Sequence, residues 1–400
     1  MKSIAFLFPF LALAAGCVSS PEKAEQTPVL YPEPVFDTHI YLPVTINDSI
    51  RGEFIFDTGA SDLYIDSLFQ ARWSVESLPV GRGRVTGVGK GAQNVRILIR
   101  PLDFTLPSGH YTTTSVTPLI HLKEILGKRA DGIVGLNFFI GKYLRIDYLN
   151  GDFQVSDTLP DTTGYRCIPL LKQNDRLLAD ARVSIAGKTI EGTFLIDTGS
   201  GQTIYLTNAT AQEYDLPGAP IERTAYRNSH GGIGGETEYA ACVAQHIILD
   251  TFTLNQAGIS YSLDNNGTLG EGRPFLGIIG NRLLNRFDVI FDLKDMRLLL
   301  RPNASYDRPY DNYSHDILLV DRTDICQGLV VNGMAIDGSA EKSGLKTGDI
   351  LTAIDTVPAR ILTSGKIKQM LTDSSRTVLT LSVERSGQSL HLDYRTGHTL

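Results

Sequence analysis

Apolar and polar residues alternate with a period of two along much of the chain. His39-Ile40-Tyr41-Leu42-Pro43-Val44-Thr45-Ile46 and Ala181-Arg182-Val183-Ser184-Ile185 put their apolar residues mainly on one face of an extended chain, the mark of half-buried strands. Pro43 has no N–H to give a ladder, so its strand is expected at an edge or bulge. Each run leads to a second, more continuously apolar one that ends at an aspartate. These are Gly52-Glu53-Phe54-Ile55-Phe56-Asp57-Thr58-Gly59-Ala60-Ser61 and Gly192-Thr193-Phe194-Leu195-Ile196-Asp197-Thr198-Gly199-Ser200-Gly201. Each copy then carries a glycine-rich tip, Gly87-Val88-Gly89-Lys90-Gly91 or Gly231-Gly232-Ile233-Gly234-Gly235. Later come Gly132-Ile133-Val134-Gly135 and Gly277-Ile278-Ile279-Gly280, and each copy closes with a hairpin pattern. Asn150-Gly151 in the first hairpin is a strong turn signal.

The same features recur in the same order, so the chain holds an internal duplication. The copies occupy 35–156 and 163–301, each of ordinary domain size, with a short polar joint between them. Residues 302–314 are rich in Pro, Tyr, Asn and Asp and are expected to be a linker. Beyond it the rhythm changes. Gly328-Leu329-Val330-Val331 reads as a short strand, and Ala340-Glu341-Lys342-Ser343-Gly344-Leu345 as a short helix stopped by glycine. Residues 364–372 read as an amphipathic helix and 377–384 as an alternating strand.

The composition sharpens this picture. Charged residues number 37 basic against 44 acidic, a formal net charge of −7, so a uniformly basic surface for nucleic acid is excluded. Four cysteines in 400 residues are too few for a disulfide framework, and no Cys-x-x-Cys or Cys/His cluster supports a zinc site. The N-terminus reads as a secretory signal: Met1-Lys2, an apolar stretch at 4–15, then Ala14-Ala15-Gly16-Cys17. The last four residues resemble a bacterial lipobox, which implies cleavage before Cys17 and acylation of it, anchoring the chain to a membrane. Residues 1–17 are then the leader and 18–34 a flexible tether.

Asp-Thr-Gly is the candidate chemistry. A single copy would be an ordinary strand-to-turn junction. A given tripeptide occurs by chance only about a tenth of a time in a chain this long, so two in matching contexts call for a cause. Two carboxylates held about 3 Å apart cannot both ionise, so one proton is shared. The ionised member can then activate a water and the protonated one can protonate a carbonyl oxygen. The glycine after each Asp-Thr allows a sharp turn that brings backbone N–H groups near the carboxylates.

On these residues the chain resembles the retropepsin-type aspartic peptidases, built in tandem like the pepsins, over about residues 35–301. The resemblance implies a mainly β fold: two retropepsin-like acid-protease lobes forming a bilobal pepsin-like unit. It implies Asp57 and Asp197 as catalytic, with Thr58, Gly59, Thr198, Gly199 and Ser200 supporting the dyad. Gly87, Val88, Gly89, Gly232, Ile233, Gly234 and Gly235 would be flap residues over the substrate. Ser200 can donate to Asp197 where Ala60 cannot donate to Asp57, so Asp197 is expected to be the more acidic member. Residues 315–396, with Ser343-Gly344-Leu345 and Gly348-Asp349-Ile350-Leu351, resemble a PDZ domain. Gly328, Leu329 and Val330 are expected to line its peptide groove, a peptide adding as a strand; a docking module without free ligand is the alternative.

The expectation is therefore an aspartic endopeptidase acting on a peptide or protein substrate, without cofactor or metal. It would be a monomer, lipid-anchored in the bacterial cell envelope at the outer membrane, on its periplasmic or surface face, with no nucleic-acid partner. The rival expectation is a non-catalytic peptide-binding protein using the same cleft and the PDZ domain.

Overall fold

The fold is taken from a computed structural model that describes residues 34–400, apart from 37, 73–79, 88, 90, 114–115, 230–231 and 326–327. The expected leader, Cys17, nearly all of the expected tether, and Val88 lie outside the described residues. The described chain is mainly β.

Alternation along the two aspartate-bearing strands sorts side chains between two environments. Phe54 and Phe56 enter the main core with Ile40, Leu42 and Val44, and so do Phe194 and Ile196. The intervening Ile55 turns the other way, into a cluster with Tyr41 and Ile133. Leu195 does likewise, meeting Ile278 and Tyr205. Each buried phenylalanine contributes about 1.5–3 kcal/mol, so a slip of one residue would exchange core for cleft and is strongly resisted.

The same pairing pattern occurs twice. Gly132–Gly135 lies between Ile50–Asp57, to which it is parallel, and Leu63–Asp66, to which it is antiparallel. Gly277–Ile279 lies likewise between Lys188–Ile196 and Ile204–Leu206. Leu63–Asp66 runs parallel to Thr117–Ile120, and Ile204–Leu206 parallel to Phe252–Ser262. A short helix follows at the same point in each copy, capped by the Asp66 carboxylate in one and the Thr207 hydroxyl in the other. Pro43 does not mark an edge strand. Ile40–Ile46 pairs on one side with Ile50–Asp57, and on the other with Val35–Phe36 at residues 40–41 and Asp103–Leu106 at 45–46. Pro43 falls in the gap between those two short ladders.

The closing hairpins of the two copies join each other. Tyr143–Asp147 pairs with Phe287–Asp292, giving a five-stranded sheet with contributions from both. One continuous core therefore runs from Ile40 to Leu300. Residues 302–314 are no loose linker. The Tyr306 hydroxyl donates to the Thr253 carbonyl at 3.0 Å. The Asn312 side chain accepts from Gly258 N–H at 2.7 Å and donates to Gln256 O at 2.8 Å. Arg286 sits 4.1 Å from the Tyr310 ring centroid. The C-terminal region has its own core, from Ile317 and Val331 to Leu381 and Tyr394.

Candidate active site

Asp57 ends its strand opposite Gly135, and Asp197 N–H donates to Ile279 O at 2.9 Å. Both aspartates are thus held by the strand that threads their own loop. The two loops meet. Thr58 N–H donates to Thr198 Oγ1 at 3.0 Å, and Thr198 N–H to Thr58 Oγ1 at 3.0 Å. The hydroxyls donate onward to the opposing strands, Thr58 to Ile196 O at 2.8 Å and Thr198 to Phe56 O at 2.9 Å. Both threonines are fully buried, so these four bonds have no water to replace them.

The carboxylates face each other above this lattice and share a hydrogen bond. Gly59 N–H donates to Asp57 Oδ1 at 2.7 Å, and Gly199 N–H to Asp197 Oδ1 at 2.9 Å. The glycines are required by the opposite carboxylate. A Cβ on Gly199 would stand 2.3 Å from Asp57 Cγ, and one on Gly59 2.8 Å from Asp197 Cγ. That close approach, rather than a sharp turn, excludes any side chain there.

Each aspartate keeps a solvent-reachable edge, yet the dense protein around it makes burial the largest influence on its acidity. Burial, then the charge of Asp57 and the hydrogen bond to it, push Asp197 well above the ordinary carboxylate range. Burial also raises Asp57, opposed by the bond from Asp197 and by the N–H groups of Gly59, Ala60 and Gly199. Burial of both, and the charge of Asp57 on Asp197, thus leave the dyad as a unit holding a proton above the ordinary carboxylate range. The hydrogen bond expected from Ser200 to Asp197 is not made: the Ser200 Oγ accepts from Gln202 N–H at 3.4 Å instead.

The two glycine-rich tips meet. Gly89 N–H donates to Ile233 O and Gly91 N–H to Gly234 O, both at 3.0 Å. Ile233 crosses onto the first copy's cluster of Tyr41, Ile55, Ile133 and Ala60, beside the Asp57 loop. Gly87 accepts through its carbonyl from Thr268 N–H at 2.9 Å. Gly232 and Gly235 complete the second tip, where Gly235 N–H donates to Gly232 O at 3.3 Å. Below it, Tyr239 stacks on Tyr226 at 5.2 Å and packs on the cluster containing Leu195 and Ile278.

Three residues were not singled out in the sequence. Asn281 directly follows Gly280, and its side-chain amide donates to Thr198 O and to Thr38 O while Tyr148 OH donates to its Oδ1 at 2.8 Å. His39 Nε2 donates to Gly199 O at 3.1 Å. Arg176 favours the ionised form of Asp197 through its charge. Only the position of Asn281, next to a repeated motif, gave a signal.

Gly328 and Leu329 do line a cavity, with Leu351, Pro358, Ala359 and Leu362, but the expectation that a peptide adds there as a strand is corrected. Leu329 and Val330 pair on one edge with Asp321 and Val320, and on the other with Leu351 and Ile350. Gly328 O accepts from Arg322 N–H. No peptide strand can add there, because both edges are taken. Ile317–Asp321 has Leu329–Ala335 as its only strand partner among the described residues, and at Asp321 its far edge meets Lys128 N–H at 2.8 Å.

No curated protein matches the chain. Among protein families, the PDZ domain matches residues 316–384, the region with the separate core, and this part of the chain is a PDZ domain.

Proposed function

We propose that the duplicated region is an aspartic endopeptidase of two retropepsin-like lobes. The observation that carries the reading is that Asp57 and Asp197 face each other above the cross-linked Thr58 and Thr198, each accepting from its own loop's glycine N–H; a pair so placed would share one proton. In the proposed reaction Asp57 removes a proton from water as the water oxygen bonds the peptide carbonyl carbon. Asp197 gives its proton to the carbonyl oxygen, forming a gem-diol. Asp57 then passes its proton to the amide nitrogen, and the C–N bond breaks while Asp197 recovers a proton from a diol hydroxyl. The tips at Gly89 and Ile233–Gly235 would cover the substrate and exclude water.

Asp57→Asn and Asp197→Asn should each abolish hydrolysis of a mixed peptide library; full turnover in either variant refutes the dyad. A second reading, a non-catalytic peptide binder, draws on the PDZ domain. Peptide binding by the wild type with no turnover from acidic to neutral pH would favour it. Ala14-Ala15-Gly16-Cys17 carries the accompanying proposal of a lipid anchor in the bacterial envelope. Loss of fatty-acid labelling in Cys17→Ser tests that.

A further inference from the structure

The outer strands of the two tip-bearing hairpins are held differently. In the first hairpin, Val80–Thr86 pairs among the described residues only with its return strand Ala92–Leu98 and forms the edge of its sheet. In the second, Arg223–Asn228 pairs with its return strand Thr237–Leu249 and also, on its outer edge, with the PDZ strand Leu329–Ala335. Tyr226 lies opposite Ala335, Arg227 opposite Met334 and Asn228 opposite Gly333.

Further bonds extend this ladder at both ends. Ile336 N–H donates to Ala225 O at 2.8 Å, and Ser229 N–H to Asn332 O at 2.8 Å. The Ser229 hydroxyl donates to the same Asn332 carbonyl at 2.7 Å, and the Asn332 amide to Asn228 Oδ1 at 3.0 Å. The chain is built for the contact. A Cβ on Gly333 would stand 2.3 Å from Arg227 O and 2.9 Å from Asn228 Cα, so only glycine lets the strands close. The PDZ domain is fixed on its other side to the first lobe. There the buried Lys123 ammonium bridges Asp131 at 2.8 Å and Asp324 at 3.0 Å.

We propose that the PDZ domain positions the second flap, with Gly333 and Asn332 as positioning residues; this rests on the peptidase reading of the cleft. The return strand Thr237–Leu249 is backed by Phe252–Ser262 as far as Tyr239, so without the PDZ strand Arg223–Asn228 would be an edge strand held on one side. The PDZ strand on that edge fixes the second tip where Ile233 and Gly234 can accept from Gly89 and Gly91. The flaps then divide their work. The second is a fixed anvil, and the first, unclamped, releases those two bonds to admit substrate. The PDZ domain is thereby part of the catalytic unit rather than a tethered accessory.

The test is hydrogen–deuterium exchange on the full chain together with peptide kinetics. Gly333→Ala should speed exchange in residues 223–236 by about tenfold or more while residues 378–395 of the PDZ core stay protected. The value of kcat/KM should fall roughly tenfold, chiefly through KM. Unchanged exchange in 223–236 with the PDZ core protected overturns the proposal, as does a freed flap with unchanged kinetics. If Gly333→Ala also exposes 378–395, Asn228→Ala decides by the same two readouts, since it lies on the flap strand. A wild type without hydrolysis counts against the peptidase reading alone, and the exchange measurement still decides whether the PDZ domain holds the flap.

Discussion

Thr58→Val keeps the volume of the side chain and removes one hydroxyl. That hydroxyl donates to Ile196 O and accepts from Thr198 N–H, at 2.8 and 3.0 Å. Ile196 and Thr198 are both fully buried, so neither orphaned group finds water. Each unpaired group costs about 1–3 kcal/mol, and the pair therefore about 2–6 kcal/mol. A chain with two separate cores need not unfold in one step, so a local readout is the right one. Native-state hydrogen exchange of residues 54–58 and 194–198 should accelerate by roughly thirtyfold to roughly twenty-thousandfold, at a factor of ten per 1.4 kcal/mol. Thr58→Ser keeps the hydroxyl and should cost only about 1 kcal/mol for the lost methyl. Exchange in the PDZ core should not change in either variant. The reasoning fails if Val and Ser behave alike, or if Val alters exchange less than about threefold, which would mean that the cross-link contributes little.

Two further outcomes follow from the acidities. Asp197 is raised in the folded state by burial and by Asp57, so the fold holds this proton more tightly than the unfolded chain does. The resulting stabilisation is complete below the ordinary carboxylate value of about 4 and is lost as pH rises through the higher folded value. Asp197→Asn cannot titrate, so its melting temperature should decline less than that of the wild type between pH 4 and pH 8; equal slopes refute the assignment. Burial pushes the Cys242 thiol up to about 12, whereas Cys167 is exposed. A thiol reagent at pH 8 should label Cys167 in the native protein and leave Cys242 unlabelled, which peptide mapping checks.

The features legible in the sequence were those written in local periodicity. The alternation at His39–Ile46 and Ala181–Ile185 announces strands, found at Ile40–Ile46 and Arg176–Ile185, and the repeated Asp-Thr-Gly announces paired carboxylates. What escaped depends on partners distant in sequence. Gly328-Leu329-Val330 has the composition of a binding strand, but whether its edges are free is decided by Val320 and Ile350 on either side. Ser200 has the right hydroxyl at the right spacing, yet its geometry turns it to Gln202. Residues 302–314 have the composition of a linker, but Arg286 and Gly258 bind them from the second copy. Asn281 and His39 act through carbonyls, for which no residue pattern exists. Gly333 looks like any strand glycine until the neighbouring strand is laid against it.

The shared five-stranded sheet constrains how the molecule is made. Tyr143–Asp147 pairs on one edge with Asp152–Ser156 of its own copy, and its other edge is covered only when Phe287–Asp292 has been made, so the N-terminal copy leaves the ribosome with one apolar strand edge uncovered. At ordinary elongation rates that interval lasts roughly ten to thirty seconds. An uncovered edge of this kind is a template for pairing with another chain. Completion of the fold therefore waits on the second copy, and a chaperone or delayed folding would have to protect Leu144 and Ile146 in the meantime.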